Sequence, residues 1–125
     1  MALSLETALK EVKGWLQYYG LPVESALPRV FAAIGADLST VLDLTDGTVR
    51  QRLRISLDRM TGEDWRRMNA SGKEALTQAI GRAAFEAGFE GFIVPSAQDK
   101  RGQNLAVFQE KLLPGSGLQE LGVLE

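Results

Sequence analysis

Two apolar segments rich in β-forming residues flank a polar loop in the last third of the chain. The stretch from Gly91 to Phe108 reads GFIVPSAQDKRGQNLAVF, and its segments FIVP and NLAVF enclose the eight residues SAQDKRGQ. A simple hairpin needs a turn of only about two to five residues. The pattern therefore predicts two buried strands joined by a longer polar loop, with Ser96 at one lip and Asn104 at the other.

A helix and two β segments are predicted before this loop. Apolar residues recur at helical spacing from Ser4 to Tyr19, and Gly20 ends the pattern, which is typical of a capped helix. The segment RVFAAIGADL, from Arg29, has the apolar character of a strand buried on both faces. VLDL, which begins at Val41, is interpreted as a second short strand or a turn.

Three more helices are predicted between these segments and the loop. Asp46 is expected to cap a short helix, TVRQRLR. Thr61 is interpreted as the cap of another short helix, with Trp65 pointing inward. A longer amphipathic helix is predicted from Ser71 to Gly88.

The whole pattern is that of a mixed α+β fold. Pro22 and Pro28 bracket a short linker, and a Pro-Gly turn in the tail precedes a predicted edge strand from Leu118 to Val123. Helices alternate irregularly with strands, which favours a small mixed sheet with flanking helices. A length of 125 residues is typical of one domain, so residues 1–125 are expected to form a single domain.

Charge and residue types exclude several functions. The net charge of −2 gives no positive field for nucleic acid. The basic cluster is interpreted as a solvated helical face, and it comprises Arg50, Arg52, Arg54 and Arg59. The chain has no histidine and no cysteine, which excludes Ser-His-Asp triads, disulfides and the usual zinc sites. No apolar run has the length of a membrane span and no signal peptide is evident, so we expect a cytoplasmic protein.

Position singles out three polar residues as candidates for a site. Glu11 lies beside the apolar stripe of the first helix, as either a boundary glutamate or a site carboxylate. Ser96 follows an apolar strand at the mouth of the loop, where binding residues often lie, and is equally typical of a turn-forming serine. Asn104 is interpreted either as a site residue or as a strand-entry residue.

Two other sets of residues are expected to be structural. The aspartates at 37, 43 and 46 fit no calcium-binding loop, so no metal site is predicted. The aromatic residues of the helices fall on different predicted elements and are interpreted as core or staple residues. These are Trp15, Tyr18, Tyr19 and Trp65.

Two stretches of the sequence resemble signature segments of the RES-domain family, which is named for its arginine, glutamate and serine. SLETALKEV is similar to the family's ETAxxE helix and places the family's glutamate at Glu11. GFEGFIVPSAQDKRGQNLAVF is similar to the family's segment in which Pro-Ser is followed by asparagine, which places these residues at Ser96 and Asn104. The resemblance extends over nearly the whole chain.

The resemblance implies an ADP-ribosyltransferase-like fold and a toxin that uses NAD as a substrate. The reaction would cleave the nicotinamide–ribose bond, with water or phosphate as the acceptor. By analogy, Glu11 would hold the ribose and stabilise positive charge on it, and Ser96 and Asn104 would orient the nicotinamide or ribose edge. A helix-turn-helix antitoxin is the partner that the resemblance implies.

The family's arginine lies upstream of the glutamate helix and has no counterpart before Ser4. We therefore expect Met1 to lie inside a longer natural reading frame, or Arg101 in the polar loop to take the place of that arginine. A domain that lacks an N-terminal strand would expose a sheet edge, which predicts a homo-oligomer. Two alternatives to an NAD-cleaving toxin stay open, namely an inactive truncated relative that acts as a binding protein and an unrelated α+β domain.

Overall fold

The computed structural model describes residues 1–22 and 31–124, which contain five α-helices, one 3-10 helix and five strands. In chain order they are α1 (Leu5–Tyr18), β1 (Phe31–Asp37), β2 (Val41–Asp43), α2 (Gly47–Leu53), α3 (Leu57–Gly62), α4 (Trp65–Ala70), α5 (Leu76–Glu86), β3 (Gly91–Pro95), β4 (Gln103–Val107), a 3-10 helix (Gln109–Lys111) and β5 (Gly117–Leu124).

The larger sheet is mixed and has the strand order β2-β3-β4. β2 runs parallel to β3, and β3 runs antiparallel to β4. The strands on both sides of the polar loop are therefore confirmed as neighbours. Ala2 forms an antiparallel bridge with Asn104, so the first residues of the chain lie along the free edge of β4.

The smaller sheet contains only β1 and β5, which pair antiparallel. The prediction that β1 is buried on both faces is wrong. Ala32, Ala33 and Ala36 are exposed, and Ile34 keeps 46% of its surface in contact with solvent. Short side chains on a two-stranded sheet cannot bury one another, and burial depends on the layers that pack against a strand. Residues 23–30, which include Arg29 and most of the predicted linker, lie outside the described residues.

The main hydrophobic core lies between the larger sheet and helices α3 and α5. Gly91 of β3 lies so close to the carbonyl oxygen of Ala106 in β4 that a Cβ atom would overlap that oxygen. The absence of a side chain at Gly91 therefore lets the two strands pack at this distance. Partly buried apolar residues surround a buried cluster. The cluster comprises Leu44, Met60, Ile80, Ala84 and Phe92.

Helix α1 is confirmed, with Ser4 as its cap, but its apolar stripe is only partly covered. Ser4 Oγ accepts a hydrogen bond from the N–H of Thr7 at 3.1 Å. Leu16 is buried, whereas other apolar members of the stripe have exposed fractions of 40% or more. These are Leu5, Leu9, Trp15 and Tyr19. The face of α1 that packs on the rest of the protein is therefore partly polar.

The helix caps agree with the sequence at Asp46 and differ at Thr61. Asp46 caps α2 through the N–H of Thr48 at 2.8 Å, as predicted. Thr61 lies inside α3, where its hydroxyl donates to the carbonyl oxygen of Leu57, so it is not free to cap a helix. Asp64 caps α4 instead, three residues later.

The long helix starts later than predicted. Ser71 lies at the C-terminal end of α4, and Gly72 has a left-handed φ of 78°, which ends that helix. Helix α5 begins at Leu76, whose N–H donates to the carboxylate of Glu63 at 3.0 Å. The predicted end is confirmed, because Gly88 has a φ of 90° just beyond the last turn.

Aromatic residues and one arginine connect α1 to α4. The guanidinium of Arg66 lies 4.8 Å from the ring centroid of Tyr18 and 4.5 Å from that of Trp65. The Tyr18 hydroxyl donates to Asp64 at 3.1 Å. Tyr18 therefore acts as a staple between the two helices. The prediction that Trp65 points inward is wrong, and none of the four aromatic residues interpreted as core or staple residues lies in the core, because each is 40% to 52% exposed. No helix of the described ranges is long and apolar enough to cross a membrane.

A fully buried carboxylate joins the two sheets. Glu90 lies between α5 and β3, and its Oε1 accepts from the N–H groups of Ser39 and Thr40 at 2.7 and 2.8 Å. Its Oε2 accepts from the N–H of Leu113 at 3.0 Å. Hydrogen bonds from the Leu113 N–H, the Ser116 hydroxyl and the Thr40 and Ser39 N–H groups lower the pKa of Glu90 to about 2. The carboxylate therefore ties the β1–β2 connection to the turn before β5.

The buried carboxylate gives a prediction for acid unfolding. Because its pKa is lowered on folding, Glu90 stabilises the protein above its ordinary pKa of 4.5, and this contribution declines as the pH falls towards 2. We expect Glu90→Gln to lower the melting temperature at pH 7 by roughly 5 °C or more and to weaken its dependence on pH below 4.5. Thermal denaturation at several pH values measures both effects. The exposed Glu86→Gln variant is the control, and identical acid profiles for the two variants would contradict the assigned role.

Candidate functional site

The structure brings Glu11, Ser96 and Asn104 together. Glu11 lies one helical turn after Thr7, on the face of α1 that packs against the loop between β3 and β4. Its Oε1 accepts a short hydrogen bond from the hydroxyl of Ser96 and a second one, 2.9 Å long, from the side-chain amide of Asn104. In the described part of the chain, Glu11 Oε2 accepts no hydrogen bond. One carboxylate oxygen is thus held in place and the other is available to a ligand.

Ser96 serves the loop and the glutamate with one hydroxyl group. The side chain is 5% exposed, and its oxygen accepts from the N–H groups of Gln98 and Asp99 at 3.1 and 3.2 Å. The same hydroxyl donates a hydrogen bond to the Glu11 carboxylate. The two interpretations from the sequence, a turn-forming serine and a site serine, are therefore both visible in its contacts.

Asn104 reaches Glu11 from the strand after the loop. It is the second residue of β4 and lies opposite Val94 of β3 in the strand register. Its backbone also pairs with Ala2, which fixes the strand from its outer side. Because strands place alternate side chains on opposite faces, this register directs the amide of Asn104 to the same side as the glutamate.

A second buried polar contact fixes the loop against α1. The hydroxyl of Thr7 donates to Asp99 Oδ2 at 3.0 Å, and the two residues are only 2% and 7% exposed. Burial acts to raise the pKa of Asp99, but hydrogen bonds from the Arg101 N–H, the Thr7 hydroxyl and Lys10 lower it on balance. Asp99 is therefore an ionised anchor for the loop.

α1 packs closely on the loop, and the contact at Gly102 requires glycine. A Cβ atom at Gly102 would overlap the side chain of Thr7, and one at Gly14 would overlap the side chain of Gln98. Both positions bring backbone against the opposing element. Sequence reasoning did not identify Thr7, Asp99 or Gly102, and a buried Thr–Asp pair that is 92 residues apart in the sequence has no local signal.

A cavity of about 600 Å³ opens beside Glu11 and Asn104. This volume is within the usual range for small-molecule sites. Aromatic side chains line one part of the cavity, and polar side chains line another. The aromatic residues are Trp65, Phe92 and Phe108, and the polar ones include Glu11, Glu63, Gln78, Arg82 and Asn104.

Arg101 does not line the cavity of Glu11 and Asn104. It lines a second cavity, of about 540 Å³, together with Ser96. Ser96 and Glu11 are hydrogen-bonded to each other, but they line different cavities. Pro95 and Ala97 line both cavities, so the segment at the end of β3 forms a common wall.

The arrangement suits the stabilisation of positive charge more than acid–base chemistry. The site offers the Glu11 carboxylate, of which one oxygen is held by two neutral donors, beside an aromatic wall. A carboxylate in this setting stabilises an adjacent cation without moving a proton. With no imidazole or thiol anywhere in the chain, nucleophilic or general-base catalysis by those groups is excluded.

Comparisons with known proteins agree with this architecture. The family model described as RES domain matches residues 1–116. A chain of the solved M. tuberculosis MbcT–MbcA toxin–antitoxin complex is similar to this chain, with 26% sequence identity and a TM-score of 0.70. The match covers 94% of this chain and 60% of that chain, and it confirms the expected α+β, ADP-ribosyltransferase-like fold. A search of the curated proteins finds no match.

The Thr7–Asp99 contact gives a prediction about how the loop is held. Thr7→Val keeps the shape of the side chain but leaves a buried carboxylate oxygen without its donor, whereas Thr7→Ser keeps the hydroxyl. We expect the valine variant to melt roughly 5 °C below the serine variant. Thermal denaturation followed by circular dichroism provides the comparison, and a valine variant as stable as the serine variant would show that the contact contributes nothing.

Proposed function

The chain belongs to the RES-domain family, and we propose that it is a RES-type toxin domain that cleaves NAD at the nicotinamide–ribose bond. The observation that carries this proposal is the carboxylate of Glu11, oriented by Ser96 and Asn104 at the edge of a cavity of about 600 Å³. The likeness to a chain of a toxin–antitoxin complex supports the toxin part of the proposal. This chain spans only 60% of the similar toxin–antitoxin chain, so the activity is proposed for the matched region and not for that whole protein.

The cavity has the chemistry that a nicotinamide riboside group requires. Aromatic walls at Trp65, Phe92 and Phe108 suit a flat heteroaromatic ring. Glu11 and Asn104 at the polar side suit the hydroxyl groups of a ribose, which donate to a carboxylate and accept from an amide. We assign the free oxygen of Glu11 to the ribose for this reason.

The bond to nicotinamide can break without a proton donor. The C1′–N bond of NAD breaks with both electrons going to the pyridinium nitrogen, which becomes neutral. The ribose is left as an oxocarbenium-like cation, which the negative charge of Glu11 stabilises. Water or phosphate then adds through oxygen to C1′, and a proton passes from water to the solvent in the hydrolytic case. This path needs no histidine, in agreement with the composition of the chain.

Ser96 and Asn104 have positioning roles in this proposal. Both donate to Glu11 Oε1, so the carboxylate does not have to reorganise when positive charge develops on the sugar. Ser96 is not assigned as a nucleophile, because its hydroxyl proton is directed to Glu11 and its oxygen already accepts from two backbone N–H groups.

We also propose an antitoxin partner and a cytoplasmic site of action. The similar chain comes from a complex of a toxin with an antitoxin, which supports a protein partner for this chain. The helix-turn-helix nature of that partner and the assembly of this chain into a homo-oligomer stay predictions. The mass of the purified chain in solution, measured by light scattering, tests the second of these directly.

The release of nicotinamide from NAD tests the proposed reaction. We expect the wild-type chain to release nicotinamide, followed by chromatography with and without phosphate. Glu11→Gln should slow this release by about 100-fold or more, because it removes the charge that stabilises the cation. Glu86→Gln, an exposed substitution on α5, should leave the rate unchanged. A wild-type chain that releases no more nicotinamide than Glu11→Gln would rule out the proposed activity for this chain.

A further inference from the structure

The second cavity carries an unusual excess of positive charge. Its volume is about 540 Å³, and its lining contains three cationic side chains and one carboxylate. The chain as a whole has a net charge of −2, so this cavity differs in sign from the rest of the molecule. The cations are Arg50, Lys100 and Arg101, and the carboxylate is Asp58.

One of the three cations is held rigidly. Arg50 was expected to lie on a solvated helical face, but it is half-buried and its Nη1 donates to the carbonyl oxygen of Leu44 at 2.8 Å. A guanidinium has five N–H donors in a fixed plane, so one bond to the backbone orients the others. Arg50 therefore presents oriented donors to this cavity.

The other two cations are not neutralised nearby. Within the described residues, Lys100 and Arg101 form no ion pair. The neighbouring Asp99 is directed away from this cavity, towards Thr7 and Lys10 of α1. Their positive charges are thus available to an anion that enters the cavity.

Three of the four neutral polar side chains of the cavity are already hydrogen-bonded, namely those of Thr45, Thr61 and Ser96. The hydroxyl of Thr45 donates to Asp43, and the hydroxyl of Thr61 donates to the backbone of α3. The cations are therefore the groups that would select a ligand, and clustered guanidinium and ammonium groups favour phosphoryl oxygens.

We propose that this second cavity is a binding site for a phosphoryl group, held by Arg50, Lys100 and Arg101. It shares the wall formed by Pro95 and Ala97 with the cavity of Glu11. If the proposed NAD cleavage is correct, the phosphoryl group is the diphosphate of the same dinucleotide, and this identity rests on the proposed function. Free phosphate or diphosphate would use the same chemistry, and the experiment separates these sources.

Calorimetric titration of the 125-residue chain with inorganic phosphate and with inorganic diphosphate tests the site. We expect the double variant Lys100→Gln/Arg101→Gln to bind diphosphate at least about tenfold more weakly than the wild type. Asp58→Asn should tighten binding several-fold, because it removes the one carboxylate of the cavity. Higher salt should weaken binding in each case.

A matched double variant separates a site from a general charge effect. Arg67→Gln/Lys73→Gln removes the same two charges from exposed positions outside this cavity and should bind diphosphate as the wild type does. Equal weakening in both double variants, or no saturable binding of either anion to the wild type, would overturn the proposal. Melting temperatures of the variants establish that all of them are folded.

The KM for NAD, measured for the wild type and the double variant, identifies the source of the phosphoryl group. If the dinucleotide diphosphate occupies the site, Lys100→Gln/Arg101→Gln raises KM for NAD about tenfold while nicotinamide riboside is cleaved as before. Binding of inorganic diphosphate with an unchanged KM for NAD assigns the site to the free anion. Diphosphate binding by a chain that does not cleave NAD would uphold the anion site and reject the proposed reaction, so the two proposals can fail separately.

Discussion

The hydrogen bond between Thr7 and Asp99 is the contact on which the position of the first helix depends. Much of the apolar stripe of α1 is exposed, so hydrophobic burial alone does not hold this helix in place. A hydroxyl–carboxylate pair that is almost completely buried does so instead, and losing the Thr7 hydroxyl would leave Asp99 Oδ2 buried without its donor. Glu11 follows Thr7 by one turn, so the same contact sets the distance between Glu11 and the loop.

The length of the polar loop is explained by its contacts with α1. A tight turn would join β3 to β4, but it would not reach across to the helix. The longer loop places Asp99 against Thr7 and brings the backbone of Gly102 against the same side chain. Ser96 closes the start of the loop on itself and bonds to Glu11. The loop therefore supports the candidate site by holding α1 and Glu11 in position.

Local signals in the sequence were sufficient for much of the fold, and motif resemblance selected three residues of the candidate site. Caps such as Ser4 and Asp46 act within three residues, so they were predicted correctly. The exposure of β1 and the burial of Glu90 depend on elements far apart in the chain, and no local pattern encodes them. Motif resemblance located Glu11, Ser96 and Asn104, which the structure brings into contact, whereas it could not predict that Arg101 faces a different cavity.

The Ser96 hydroxyl bonds both to the loop backbone and to Glu11, so the folding of the loop is coupled to the hydrogen bonding of the site carboxylate. Opening of the loop releases the N–H groups of Gln98 and Asp99 and removes a donor from Glu11 in the same step. The amide protons of these two residues are therefore protected from exchange with solvent only while the Ser96 hydroxyl is in place to bond to Glu11. Their exchange rates report the population of molecules with an assembled site, in the absence of any substrate.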